Sequence, residues 1–61
     1  MDKTYYEIWN VSKCEEFCID ILTNKARAIN LARYHMERKN GKDKIEIRVY
    51  VNEYDYDLID Y

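Results

Sequence analysis

Residues 23–41 read TNKARAINLARYHMERKNG, and this stretch decides the fold because it is long and periodic enough to be a helix. Ala28, Ile29, Ala32 and Met36 recur at i, i+1, i+4 and i+8, which lays them along one stripe facing a core. Small side chains in the middle of that stripe let the helix axis approach a flat apolar surface closely, so its expected partner is the face of a β-sheet. Thr23 or Asn24 is placed to cap the start. Asn40-Gly41 is placed to end the helix through a left-handed glycine, and Arg38, Lys39 and Lys42 complement the partial negative charge of the last carbonyls.

A second stripe runs Arg27, Leu31, Tyr34 and Arg38, far enough round the helix that one packed layer should not bury both. It reads in several ways. Either the arginine stems cover Leu31 and Tyr34 on an ordinary solvated face, or the stripe is a dimer or partner contact, or Arg27, Tyr34 and Arg38 form a nucleic-acid surface that uses guanidinium and aromatic stacking.

On either side of the helix the sequence is strand-like. Thr4–Val11 is rich in aromatic and β-branched residues, with Tyr6 and Ile8 pointing one way and Tyr5, Trp9 and Val11 the other. Ser12-Lys13-Cys14 breaks the pattern, and Glu15–Leu22 follows as a hairpin partner with Phe17, Ile19 and Ile21 on one face. After the helix, Ile45, Ile47, Val49 and Val51 alternate with Glu46, Arg48 and Tyr50, a period-two strand with one face on the core. Beyond Asn52 the apolar positions change parity to Tyr54, Tyr56 and Leu58. An unbroken strand would then place aspartates in the core, so a turn near Asn52-Glu53 into a fourth strand is expected.

The predicted architecture is one α+β domain over residues 1–61, an antiparallel sheet of three or four strands in the order β-β-α-β-β with one helix on one face. At 61 residues it lies near the lower size limit for an unaided core. With a single helix available, the other sheet face carries Tyr5 and Trp9 uncovered. Together with Leu31 these mark a face for a second copy, as a homodimer, or for a partner.

A net charge of −2 conceals a segregation: the chain reads −3 over residues 1–23, +5 over 24–44 and −4 over 45–61. A basic helix layer on a sheet with acidic margins follows. The acidic flanks would repel a duplex, which weighs against direct nucleic-acid binding. No apolar run is long enough for a bilayer span and no leader is visible, so the expected setting is the cytoplasm. The richness in Ile, Lys, Asn and Tyr, 25 of 61 residues, points to AT-rich coding DNA of a low-GC bacterium or its phages.

Chemistry-bearing residues are few. Cys14 and Cys18 are the cysteines and His35 the histidine. A C-x3-C pair without a second pair does not make a zinc site, and in extended chain the two Cα atoms would lie about 13 Å apart, too far for a disulfide. Two reduced, partly buried thiols are expected. There is no glycine-rich phosphate loop, and although the hairpin residues Ser12, Cys14 and Cys18 could reach His35, a lone histidine at the border of the helix stripe reads as a boundary residue rather than a base, so no catalytic residues, metal or cofactor are assigned.

What remains is the C-terminal run NEYDYDLIDY. Charge alone would explain its aspartates as the blunting of an edge strand, but not its tyrosines. Tyr50, Tyr54, Asp55, Tyr56, Asp57 and Asp60 are therefore the candidate partner-binding set, suited to a basic protein surface such as that of a nucleic-acid-binding enzyme. In overall character, a short AT-biased chain with a hairpin, one alanine-containing helix and an acidic aromatic tail, the sequence resembles small phage-encoded proteins that inhibit host enzymes, those that block CRISPR nucleases among them. That resemblance implies a binding function and transfers no site residues.

Overall fold

The structure, a computed structural model, describes residues 4–51 and 55–61. Among these residues four strands and one helix follow one another as β1 (Tyr5–Val11), β2 (Glu16–Leu22), α1 (Lys25–Arg38), β3 (Lys44–Tyr50) and β4 (Tyr56–Leu58). The strands form one sheet in the order β2-β1-β3-β4, antiparallel throughout. This is the expected α+β, β-β-α-β-β arrangement, with the fourth strand present. The expected turn at Asn52-Glu53 lies outside the described residues.

The core is a thin layer between the helix and the two central strands. Ile8, Ala28, Ala32, Ile45 and Ile47 are buried, with Ile8 and Ile47 directly opposite each other on β1 and β3. The two alanines bring the helix backbone down onto these isoleucines. At 100° per residue, Ile29 and Leu31 flank the alanine stripe by roughly 80° on either side. Both therefore drape down the flanks of the close contact and pack against the core. Leu31 thus joins the layer from which the helix periodicity had separated it. Met36, expected in the stripe, is exposed instead.

Asn24 caps the helix, its Oδ1 accepting from the Arg27 N–H at 3.0 Å. The other end departs from expectation. The chain leaves the helix in an extended conformation at Lys39 (φ −71°, ψ 161°), and no described residue, Gly41 included, has a positive φ. The reversal comes instead from a turn in which the Asp43 N–H donates to the Asn40 carbonyl at 3.0 Å. In the hairpin between β1 and β2, the Ser12 hydroxyl and N–H both donate to the Glu15 carbonyl, at 2.7 and 2.9 Å.

The second strand corrects the sequence reading. Its pairing with β1 slips at one point, where Ile8 faces Asp20 but Trp9 faces Cys18, so Ile19 is an extra residue in a β-bulge. The bulge reverses the phase of the strand. Phe17 and Leu22 share the helix side with Asn10 and Tyr6, and Ile19 packs on the core. Ile21 turns to the open side opposite Glu7 and is 56% exposed. Asp20 holds the irregularity, its Oδ1 accepting from the Ile21 N–H at 2.8 Å and its carbonyl from the Cys18 thiol at 3.5 Å.

Candidate protein-binding face

Alternation along β3 puts Glu46, Arg48 and Tyr50 on the sheet face away from the helix, together with Tyr5, Glu7 and Trp9 of β1. Among the described residues no helix covers this side, yet Arg48 is only 7% exposed. Its guanidinium lies 4.3 Å from the Trp9 ring centroid and 4.9 Å from that of Tyr56. Its Nη2 meets Glu16 Oε2 at 3.0 Å and Glu46 Oε1 at 3.2 Å, and its Nε donates to the same Glu46 oxygen. A planar cation can stack against aromatic faces and still direct its N–H groups sideways to carboxylates, which a lysine cannot do. Trp9 is oriented in turn by Glu7, whose Oε1 accepts from the indole N–H at 2.9 Å.

Beside this centre a row of rings crosses three strands. Tyr5, Tyr50 and Tyr56 occupy directly paired positions on β1, β3 and β4. Tyr5 and Tyr50 stack at 5.0 Å with 8° between planes, and Tyr50 and Tyr56 meet at 5.4 Å and 44°. Burial pushes the Tyr50 phenol above its ordinary range, and the Glu7 carboxylate adds to the effect. The row ends in the open: Tyr56 is 45% exposed, and Leu58, two residues along on the same side, is 61% exposed.

Of the sequence-derived partner set, Tyr50 and Tyr56 lie in this row. Asp57 pairs with Val49 and so lies on the helix side of β4, while Asp55 and Asp60 are exposed beside the strand. Tyr54 lies outside the described residues. Tyr5 and Trp9 share the open face, whereas Leu31 is on the far side of the sheet, under the helix. The residues that sequence reasoning missed are Arg48, Glu7, Glu16 and Glu46. The available signal was an arginine inside the apolar run IEIRVYV.

On the helix, Arg38 lies over the Tyr34 ring at 3.8 Å and donates to the Tyr34 carbonyl at 3.4 Å, with Glu37 at 3.9 Å. Arg27 sits in the first turn, exposed. Cys14 and Cys18 are free thiols and both exposed, rather than partly buried, because the bulged edge strand leaves Cys18 uncovered. Among the described residues no group of three or more His, Cys, Asp or Glu side chains gathers as a metal site, and no helix is long and apolar enough to cross a membrane.

The last residues fold back on β3. The Ile59 N–H donates to the Ile47 carbonyl at 3.1 Å, and the Tyr61 hydroxyl donates to the Ile45 carbonyl, with the Met36 sulfur 3.8 Å from the same oxygen. Burial, and secondarily Glu46, raises the Tyr61 phenol above its ordinary value near pH 10. A raised folded-state value means that the contribution of this phenol to stability is complete below about pH 10 and is lost as pH climbs through the folded value. Tyr61→Phe should therefore lower stability by about 1 kcal/mol at neutral pH. The gap between variant and wild type should close above about pH 10 in urea titrations followed by circular dichroism. A gap unchanged with pH would remove the hydroxyl from this role. Comparison of the chain with protein-family models, with curated proteins and with solved structures gives no match.

Proposed function

We propose that this chain is a non-enzymatic protein-binding module that docks a partner protein on the open sheet face and its β4 margin. The observation that carries the reading is the tyrosine row, stacked and rigid over Tyr5 and Tyr50 and ending in exposed Tyr56 and Leu58. Rigid aromatic groups beside an exposed aliphatic one are the makings of a binding hot spot, because little side-chain entropy is left to lose. The surroundings favour a basic partner. Glu7, Glu16, Glu46, Asp55, Asp57 and Asp60 outnumber the single guanidinium of Arg48, which Glu16 and Glu46 already engage. A nucleic-acid-binding enzyme presents such a surface, and a phage-type inhibitor or regulator of a host defence enzyme is the function that joins these features.

The test uses the full chain as bait in lysate of a low-GC bacterium, beside Tyr56→Ala and the double variant Asp55→Lys/Asp57→Lys. A partner recovered by the wild type should bind each of these at least about tenfold more weakly, with the circular dichroism spectrum unchanged. Arg27→Glu/Arg38→Glu on the helix should bind as wild type does. Loss confined to the helix variant would transfer the function to the basic side. A stable dimer that shields Trp9 fluorescence without any partner would reassign the face to self-association.

A further inference from the structure

Among the described residues β4 pairs with Arg48–Tyr50, and no strand pairs with the Lys44–Ile47 half of β3 on that side. Its carbonyls at Ile45 and Ile47 are instead taken by the Tyr61 hydroxyl and the Ile59 N–H. Along the seam of the returning tail with this half-strand lies a cleft of about 470 Å³, lined by Met36, Leu58 and Ile59 among the apolar residues and by Glu46 and Asp60. That volume falls within the range of about 300–1,000 Å³ typical of clefts that hold ligands. With both carbonyls engaged by the tail, an incoming strand would have to compete for them, which favours recognition by side chains.

The charged residues among those described as lining the cleft, Glu46 and Asp60, are both acidic. The guanidinium of Arg48, which engages one oxygen of Glu46, is held on the open face by Glu16 as well. The influence of Glu46 reaches the Tyr61 phenol at the cleft wall. An apolar lining that also carries two carboxylates is complementary to an aliphatic group with a cation next to it, and it opposes an aliphatic group beside a carboxylate.

We propose that this cleft receives an aliphatic side chain of the partner protein whose immediate chain neighbour is a lysine or arginine, with the aliphatic group against Met36 and Ile59 and the cation at Asp60 and Glu46. The proposal rests on the reading of the chain as a protein-binding module and names the sequence feature that the partner must present.

The test is a titration of the 15N-labelled full chain with two blocked tetrapeptides, N-acetyl-Gly-Leu-Arg-Gly-amide and its Gly-Leu-Glu-Gly twin, followed by amide chemical shifts. The arginine peptide should give saturable shifts at Met36, Ile47, Ile59 and Asp60, with the glutamate twin at least about fivefold weaker and Asp60→Lys weakening the arginine peptide by a similar factor. Shifts confined to Tyr5 and Trp9, equal binding of the twins, or no saturable shift at about 10 mM peptide, well beyond a weak millimolar Kd, would overturn the assignment. Tighter binding of n-hexylamine than of either peptide would make the occupant a small amine and overturn it as well. A partner captured through Tyr56 that binds Asp60→Lys as it binds wild type would sink the cleft and leave the docking face standing. Cleft binding of the arginine peptide together with a partner indifferent to Tyr56→Ala would do the reverse.

Discussion

Arg48→Ala should lower the stability of the domain by about 3 kcal/mol, near the upper end for hydrogen bonds to charged groups, because contacts of two kinds are lost together. The ion pairs with Glu16 and Glu46 disappear, and so does the planar filler between Trp9 and Tyr56. The loss is held below that of a fully buried pair because Glu16 is half exposed and water can reach it once the guanidinium is gone. Arg48→Met, which keeps most of the stem and gives up the charge, should cost about half as much. Arg48→Lys keeps the charge but cannot fork between two carboxylates, and it should fall between the two. Urea unfolding of the three variants measures this order. If methionine were as costly as alanine, the stem would contribute nothing and the guanidinium alone would hold the face.

Ile8→Ala should be costlier still, about 3–4 kcal/mol, in the upper part of the range for deleting a buried aliphatic side chain. Ile8 is 0% exposed and faces Ile47 across the sheet beneath Ala28 and Ala32. The same alanines that allow close approach cannot extend to fill a void, so the cavity persists. At roughly 0.05–0.15 kcal/mol per residue, a chain of this size has only about 3–9 kcal/mol to lose. Much of the Ile8→Ala protein should therefore be unfolded at 37 °C by near-ultraviolet circular dichroism. Ile8→Val, at about 1 kcal/mol, should remain folded and report the same site on a measurable scale. A native, cooperative Ile8→Ala protein would mean that the helix settles onto the sheet and closes the gap.

These two sites were unequally visible in the sequence. Ile47, Ala28 and Ala32 follow from periodicities of 2 and 3.6 that each element carries within itself, whereas Ile8, in a strand apolar on both faces, could be placed inward only by the argument that one helix covers one face. Arg48 sits in an equally clear alternation, but its partner Glu16 is 32 residues away and is brought to it only by the β2-β1-β3 strand order. The bulge at Ile19 escaped for a related reason. Phe17, Ile19 and Ile21 alternate well enough for a flat strand, and only the pairing with β1 shows that Leu22, not Ile21, faces inward. Met36 was placed in the core by its angle on the helix. Angle says nothing about where the sheet stops beneath the last turn. The tyrosine row was half visible, since the excess of tyrosine was plain and their alignment across three strands was not.

The kink at Asp20 bears on how the molecule behaves in a crowded cell. A seven-residue border strand bearing exposed Phe17 and Ile21 would ordinarily invite a neighbour to zip alongside and seed insoluble fibres. With the Ile21 amide hydrogen already claimed by the adjacent carboxylate and the strand locally out of step, an incoming chain finds no regular ladder to copy. Asp20 thus acts as a guard on that flank.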